Sequence, residues 1–224
     1  MNTKHLIFSI LALVSSCAAI SQNQIKVDKT PPPDNTTMVE LVTFDDASIK
    51  GLEDKLSELD KLGYPTIYLR LNSNGGSISA AMSLIQFAEQ MKTPLTCVAD
   101  WHAFSAAFYT LESDACPVRL MTKRAVLLAH AALVMDISGN AKELRHEAEA
   151  LDAISEALIS VTADRMKMSE KDFKAQIDGR NWWMSYEDAV KYHAIDKIVD
   201  PSSLPKLESY QIPSSLEMLL NSLK

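Results

Sequence analysis

The ten residues YLRLNSNGGS, at positions 68–77, lead from an apolar stretch into a pair of glycines. Residues 66–71 are apolar and rich in strand formers, and the apolar spacing over residues 78–91 predicts a helix directly after the glycines. Paired glycines at such a junction let the backbone approach a ligand closely, and the free N–H groups of a helix start attract negative charge. Taken alone, the pattern is best explained as a tight turn. It is not a phosphate-binding loop, because no Gly-Lys-Ser/Thr follows.

Strand and helix patterns alternate on both sides of this junction. The predicted strands cover Met38–Phe44, Thr66–Leu71, Leu95–Ala99, Val118–Met121, Ala125–Leu128 and Ala194–Val199. The predicted helices cover Ile49–Leu62, Ile78–Met91, Phe104–Leu111 and Asn140–Met166, and two more begin at Ser169 and Ser185. Repeated alternation of this kind predicts an α/β fold, with a mostly parallel sheet and helices on its faces.

The composition limits the classes of function. A chain of 224 residues with 47% hydrophobic residues and a net charge of −7 is typical of a globular protein of one domain or two small ones. The acidic balance argues against a nucleic-acid partner. No apolar run reaches about 18 residues, which argues against a multi-span membrane protein. The three cysteines fit no zinc spacing, and the sequence predicts neither a metal nor a cofactor.

The amino terminus predicts export. Lys4 and His5 precede a nine-residue apolar run, 6–14, which is followed by small residues; this is typical of a secretory signal over residues 1–21. Residues 14–17 resemble a bacterial lipobox, which would make Cys17 a lipidated first residue and anchor the protein to a membrane. Ordinary cleavage just before Gln22 is the alternative. A buried N-terminal helix is disfavoured, because the run has no polar face. Either cleavage predicts a periplasmic location.

The remaining chain divides into three parts. Residues 22–37 are polar and contain three consecutive prolines, which predicts an extended linker. A single domain is predicted over residues 38–200, and residues 201–224 are predicted to form a tail with a short helix.

Two further residues carry reactive side chains at the ends of predicted strands. Ser105 lies among small residues where a strand gives way to a buried helix, a position at which the helix dipole favours a nucleophile. An N-cap serine is the simpler explanation. His130 follows the apolar strand, a suitable place for a general base, although a core histidine is the simpler explanation there as well.

The order and spacing of these features resemble the ClpP-like serine peptidases, which have the ClpP/crotonase fold and are related to the SppA-type signal peptide peptidases. Residues 68–77 look like the family's strand and Asn-Ser-Pro-Gly-Gly-Ser motif, and residues 104–107 look like its nucleophile segment. The spacing from Ser105 to His130 is similar to the family's. Gly139 with the long helix after it resembles the family's projecting handle, and residues 183–189 and 195–200 resemble its closing region.

The resemblance implies specific roles for these residues. Ser105 would be the nucleophile, His130 the general base and Asn181 the third triad member, while the N–H groups of Gly75 and Ala106 would form the oxyanion hole. The family usually has Asp where this register places Asn181, so a shifted register that uses Asp178 is the alternative. An Asn orients an imidazole without stabilising its charge, and an Asp-to-Asn change in a serine protease costs about 10⁴ in rate.

The resemblance and the signal together predict an exported serine endopeptidase. Outside the cytoplasm no ATP drives an unfoldase, so the predicted substrates are peptides or unfolded segments. A catalytically decayed interaction protein of the same fold is the alternative, and an acyl-CoA enzyme of the crotonase type is a weaker one. The handle-like helix predicts a homo-oligomer.

Export also predicts a disulfide between Cys97 and Cys116, because exported thiols tend to pair. Cys97 lies in the strand that leads to Ser105, and Cys116 lies at the start of the next strand, so both fall at one end of a parallel sheet. Two buried free thiols are the alternative.

Overall fold

The architecture is an α/β fold built on an eight-stranded, mostly parallel sheet, as the sequence predicts. The computed structural model describes residues 25–133 and 138–208. Its strands are β1 Val27–Asp28, β2 Thr37–Leu41, β3 Ile67–Ser73, β4 Leu95–Phe104, β5 Val118–Thr122, β6 Val126–Ala129, β7 Trp182–Met184 and β8 Lys197–Val199. The order across the sheet is β1-β8-β5-β4-β3-β2, and β6 joins β4 to the antiparallel strand β7.

Six α-helices connect these strands in the described part of the chain. They are α1 Asp46–Asp60, α2 Ile78–Glu89, α3 Ala106–Leu111, α4 Ala141–Arg165, α5 Glu170–Ile177 and α6 Tyr186–Lys191. A short 3₁₀ helix, Pro201–Ser203, follows β8. None of the helices in the described ranges is long and apolar enough to cross a membrane.

Two strands were not predicted, and one of them corrects the predicted linker. Val27–Asp28 pairs with β8, and the apolar residues Ile25 and Val27 pack against the core, so folded structure begins before Met38. Pairing with the edge of β8 explains this two-residue strand. The predicted signal, with the predicted lipidation site Cys17, lies outside the described residues. The part of the predicted tail from residue 209 onward also lies outside them.

The main hydrophobic core lies on one face of the sheet, between the strands and helices α1 to α3. Helix α1 contributes apolar residues on one face, including Leu52 and Leu56, which are fully buried against β2 and β3 residues such as Leu69. A smaller cluster on the other face contains Met38, Tyr68, Val98, Leu120 and Val199. Among the described residues, this second cluster is much smaller than the main core.

Strand β4 changes partner along its length. Its first half pairs with β5 through Ala99, whereas its last three residues pair with β6, from His102 to Phe104. The register with β3 shifts between these halves, because β4 advances from Ala99 to Ala103 while β3 advances only from Leu71 to Ser73. This irregularity turns the end of β4 away from β5 and brings β6 beside the residues that lead to Ser105.

Helix α4 projects from the domain over most of its length. A capping box joins Asn140 and Glu143 at its first turn. Its buried residues, Ile159, Thr162 and Ala163, all fall in the last third of the helix. The preceding two thirds are mostly exposed, which fits the projecting long helix that the sequence predicts.

Cys97 and Cys116 form a disulfide in the structure. Their Cα atoms are 5.5 Å apart, within the usual range for this bond, and both residues are fully buried. Cys97 lies in β4 and Cys116 between α3 and β5, so the bond closes a loop that contains Ser105.

Removing this disulfide is expected to lower the free energy of unfolding by roughly 3 kcal/mol, because the unfolded chain regains the entropy of the closed loop. The measurement is urea unfolding of the wild type with and without a reductant. A Cys97→Ala/Cys116→Ala variant serves as the control and should not respond to the reductant. Equal midpoints for the oxidised and reduced wild type would contradict the expectation.

A buried cluster of carboxyl and guanidinium groups lies beside the disulfide. Glu112, at the end of α3, has no exposed surface, and its Oε2 lies 2.5 Å from Nη1 of Arg119. Arg119 also reaches Asp196, with 2.9 Å between Nη2 and Oδ1. Burial raises the pKa of Glu112 to about 8, against the opposing effect of the Arg119 charge. The neutral form of Glu112 is therefore favoured in the folded state.

Because the pKa of Glu112 is raised in the folded state, its contribution to the free energy of unfolding falls as the pH rises. The folded state binds the Glu112 proton more tightly than the unfolded chain, so the stabilisation is complete below about pH 4.5 and is lost by about pH 8. We expect Glu112→Gln to flatten this decline, which amounts to at most about 1.4 kcal/mol per pH unit. Urea unfolding between about pH 4.5 and pH 8 measures the decline, and Glu58→Gln, at an exposed carboxylate, is the control. Parallel curves for Glu112→Gln and the wild type would refute it.

Candidate active site

Ser105 joins β4 to α3 in a backbone conformation that few serines adopt. Its φ is 56° and its ψ is −121°, which is costly for any residue that carries a Cβ. Its N–H donates to the carbonyl of Leu128 in β6 at 2.9 Å. Ser105 is the N-cap residue of α3, but its side chain makes no capping hydrogen bond, so capping does not explain a serine at this position. The sharp turn instead presents a hydroxyl at the start of a buried helix, as in strained nucleophile turns.

The glycine pair is packed directly against this turn. Gly75 has a φ of +92°, and a Cβ built on it would lie 2.6 Å from the carbonyl oxygen of Phe104 and 2.8 Å from Cβ of Ser105. The same atom would lie 3.0 Å from the backbone nitrogen of Ala106. Only glycine fits this position, because the backbone at Gly75 packs directly against the backbone of the turn that holds Ser105.

The hydrogen bonds of Gly75 bear on its predicted role. The N–H of Gly75 donates to Oγ of the buried Ser73 at 3.0 Å, so in this conformation it is engaged and not available as the predicted oxyanion donor. Phe44 donates to the Gly75 carbonyl and accepts from the N–H of Ser77. Gly75 still lies beside the Ala106 N–H, because a Cβ on Gly75 would be 3.0 Å from that nitrogen, and this N–H, as the first of α3, has no intrahelical acceptor.

His130 follows β6, the strand beside the end of β4. Its own carbonyl accepts a hydrogen bond of 2.7 Å from the hydroxyl of Tyr109, and its ring Nδ1 lies 2.7 Å from the carbonyl oxygen of Ala131. A carbonyl only accepts, so the second contact requires a proton on Nδ1. In the neutral ring this leaves Nε2 with a free lone pair, the form that a general base needs.

The register of β7 locates the two candidates for the third triad residue relative to His130. Strands β6 and β7 pair with Leu127 opposite Met184 and Ala129 opposite Trp182, so one further step places Asn181 opposite His130. Asp178 is the C-cap of α5, three residues earlier, and is exposed like Asn181. The register therefore extrapolates to a position for Asn181 closer than Asp178 to His130. The ring nitrogen Nδ1 of His130 is nevertheless directed to the Ala131 carbonyl.

The fold brings these residues together because parallel strands end at one edge of a sheet. Gly75 follows β3, Ser105 follows β4 and His130 follows β6, while the antiparallel β7 returns Asn181 to the same edge. The sequence reasoning missed Tyr109, whose only signal was its position one helical turn after Ser105. It also missed β7, whose signal was the apolar run Trp182–Met184.

Comparison with known proteins identifies relatives of this chain. The family model of the Clp protease matches residues 43–202. The chain is similar to the "ATP-dependent Clp protease proteolytic subunit 1" of Streptomyces avermitilis, with 25% identity over 134 residues, 60% of this chain and 61% of that protein. It is similarly related to the "ATP-dependent Clp protease proteolytic subunit" of Borreliella afzelii, with 25% identity over 133 residues, 59% of this chain and 66% of that protein.

The matches thus span about three fifths of the first relative and slightly under two thirds of the second. The family match includes every residue of the candidate site, from Gly75 to Asn181, and more than half of the chain. With the strained serine, the packed glycine pair and the histidine at the adjacent strand end, it leads to one conclusion: the chain belongs to the Clp protease family.

Proposed function

We propose that this protein is an exported serine endopeptidase that cleaves peptides or unfolded segments without ATP. The observation that carries the proposal is the strained Ser105 at the start of α3. This residue packs against Gly75, and its N–H is hydrogen-bonded to β6, the strand that directly precedes His130. Strain of this kind persists only where the surrounding structure enforces it, and it is concentrated at functional sites.

The proposed reaction is acyl transfer to Ser105. Its Oγ attacks the peptide carbonyl while Nε2 of His130 takes the proton, and the N–H of Ala106 at the start of α3 stabilises the oxyanion. His130 then gives this proton to the leaving amine. In the second half of the reaction, His130 takes a proton from a water whose oxygen attacks the acyl carbonyl. His130 then returns this proton to Oγ of Ser105 as the ester bond breaks and the new carboxyl terminus is released.

A groove between α2 and α4 supports a peptide substrate. It has a volume of about 920 Å³ and is lined by apolar side chains of both helices, including Ile78, Met82, Ile154 and Val161. Tyr109 also lines the groove, and Ile78 directly follows the glycine motif, so the groove begins at the candidate site. Its apolar lining favours apolar substrate side chains.

Export is supported by the secretory pattern of residues 1–21 and by the disulfide, which is typical of proteins from oxidising compartments. We propose a periplasmic location, either as a soluble protein or anchored through a lipid on Cys17. Independence from ATP follows from that location, because an exported peptidase is separated from the cytoplasmic ATP supply.

The decisive experiment is labelling of the purified protein with a fluorophosphonate probe, together with cleavage of an unfolded protein in the absence of ATP. The wild type should label on one serine, and His130→Gln should label slower by at least about 10³-fold, since a serine needs its base. A folded wild type that does not label would reject the proposal. It would favour the decayed-site alternative, which the uncharged Asn181 opposite His130 supports.

Self-association is expected from the exposed part of α4. Leu144, which lies on this helix outside the groove, is 41% exposed, and a second copy of the chain would cover it. We expect light scattering at micromolar concentration to show a homo-oligomer. The charged replacement Leu144→Glu should shift it to the monomer, whereas Glu147→Lys on the same helix should not. A strictly monomeric wild type would contradict the expectation.

A further inference from the structure

The imidazole of His130 is held by the main chain of its own loop. Nδ1 lies 2.7 Å from the carbonyl oxygen of Ala131, the next residue, and this contact is a hydrogen bond only when Nδ1 carries a proton. In serine hydrolases a third group fixes this same tautomer by accepting from Nδ1. The Ala131 carbonyl therefore occupies the acceptor position that a side-chain carboxylate has in a standard triad.

Tyr109 fixes the backbone that presents this carbonyl. Its hydroxyl donates to the His130 carbonyl at 2.7 Å, which anchors the peptide group between His130 and Ala131. Its side chain is buried, with 3% of its surface exposed, and burial raises the pKa of the phenol, so the hydroxyl stays a donor.

Tyr109 also contacts the nucleophile segment through its own backbone. Its N–H donates to the carbonyl of Ser105 at 3.0 Å. One residue thus joins the turn that presents the nucleophile to the strand end that presents the base. A displacement of this tyrosine would change the separation of the two groups, on which the rate of proton transfer depends steeply.

On the basis of the proposed peptidase function, we propose that Tyr109 and the Ala131 carbonyl position His130 as the general base, and that Asn181 is not needed for this. Asn181 is exposed and uncharged, and the Nδ1 atom is already engaged. Tyr109 acts through the backbone of His130 and is a positioning residue.

The test combines labelling rates with the tautomer of His130. Tyr109→Phe removes only the hydroxyl and should lower the second-order rate of fluorophosphonate labelling by at least about tenfold. Tyr68→Phe, a buried tyrosine on the opposite face of the sheet, is the matched control and should label like the wild type. Asn181→Ala should label within about threefold of the wild type, because it removes no interaction with the base.

The tautomer is read from ¹⁵N NMR spectra of protein labelled at its histidine nitrogens. His130→Gln identifies the His130 signals among the five histidines. The wild type and Asn181→Ala should show the Nδ1–H form, and Tyr109→Phe should show a smaller fraction of it. This signature does not depend on turnover, so it tests the positioning even if the wild type proves inactive.

Three results would overturn the proposal. The first is an Nε2–H form of His130 in the wild type, and the second is a loss of about 10² or more in the labelling of a folded Asn181→Ala variant, which would make Asn181 the orienting group. The third is a Tyr109→Phe variant that matches the wild type in both rate and tautomer. A wild type that shows the Nδ1–H form but does not label would reject the peptidase function and leave the positioning intact.

Discussion

Replacing Ser105 with alanine is expected to abolish fluorophosphonate labelling and peptide cleavage, a loss on the order of 10⁴ to 10⁶ in rate. No other group on the turn supplies the attacking oxygen, because the neighbours of Ser105 are phenylalanine and alanine. Alanine keeps the Cβ and the same strained backbone, so the free energy of unfolding should change by less than about 0.5 kcal/mol. Labelling and urea unfolding of the same preparation measure the two quantities.

Ser105→Gly separates the chemistry from the strain. Glycine adopts the φ of 56° without the steric cost, so this variant should be equally inactive but more stable than Ser105→Ala by about 1 kcal/mol. We expect this combination, loss of activity with a gain in the free energy of unfolding, because the nucleophile is held in a strained turn. Undiminished labelling of either variant would remove Ser105 from the mechanism, and a glycine variant less stable than the alanine variant would contradict the strain.

The second large effect is expected from Gly75→Ala. The added methyl group would overlap the carbonyl oxygen of Phe104 and the Cβ of Ser105, at 2.6 and 2.8 Å, and the first of these is a backbone atom that cannot rotate away. We expect a loss of roughly 2–4 kcal/mol in the free energy of unfolding. Labelling should also fall by at least about 10², since the overlap displaces the nucleophile turn.

Gly63→Ala is the matched control for this substitution. Gly63 also has a positive φ, +72°, but a Cβ there meets no atom within 4 Å. It should lose only about 1 kcal/mol and label at the wild-type rate. The comparison isolates the contact with Ser105 from the general cost of a positive φ. A Gly75→Ala variant that behaves like Gly63→Ala would show that the two motifs are not packed together as described.

Much of the fold was predictable because its local patterns agree with the tertiary structure. Helix α2 begins at Ile78, as the apolar spacing predicts, and Ser77 caps it. Strand β4 was predicted to end at Ala99 but continues to Phe104, because pairing with β6 extends it beyond the apolar run. The short strands β1 and β7 have too few residues for a period to be recognised, and only their pairing partners define them.

The sequence by itself determined the α/β class and the collinear order of the glycine motif, Ser105 and His130, because periodicity and spacing are properties of the chain. The tertiary structure decided which atoms meet. Whether the N–H of Gly75 is free depends on Ser73, and which group accepts from Nδ1 of His130 depends on the path of the backbone after β6. Hydrogen-bond partners are set by positions within a few tenths of an ångström, which only the packing of distant segments against one another determines.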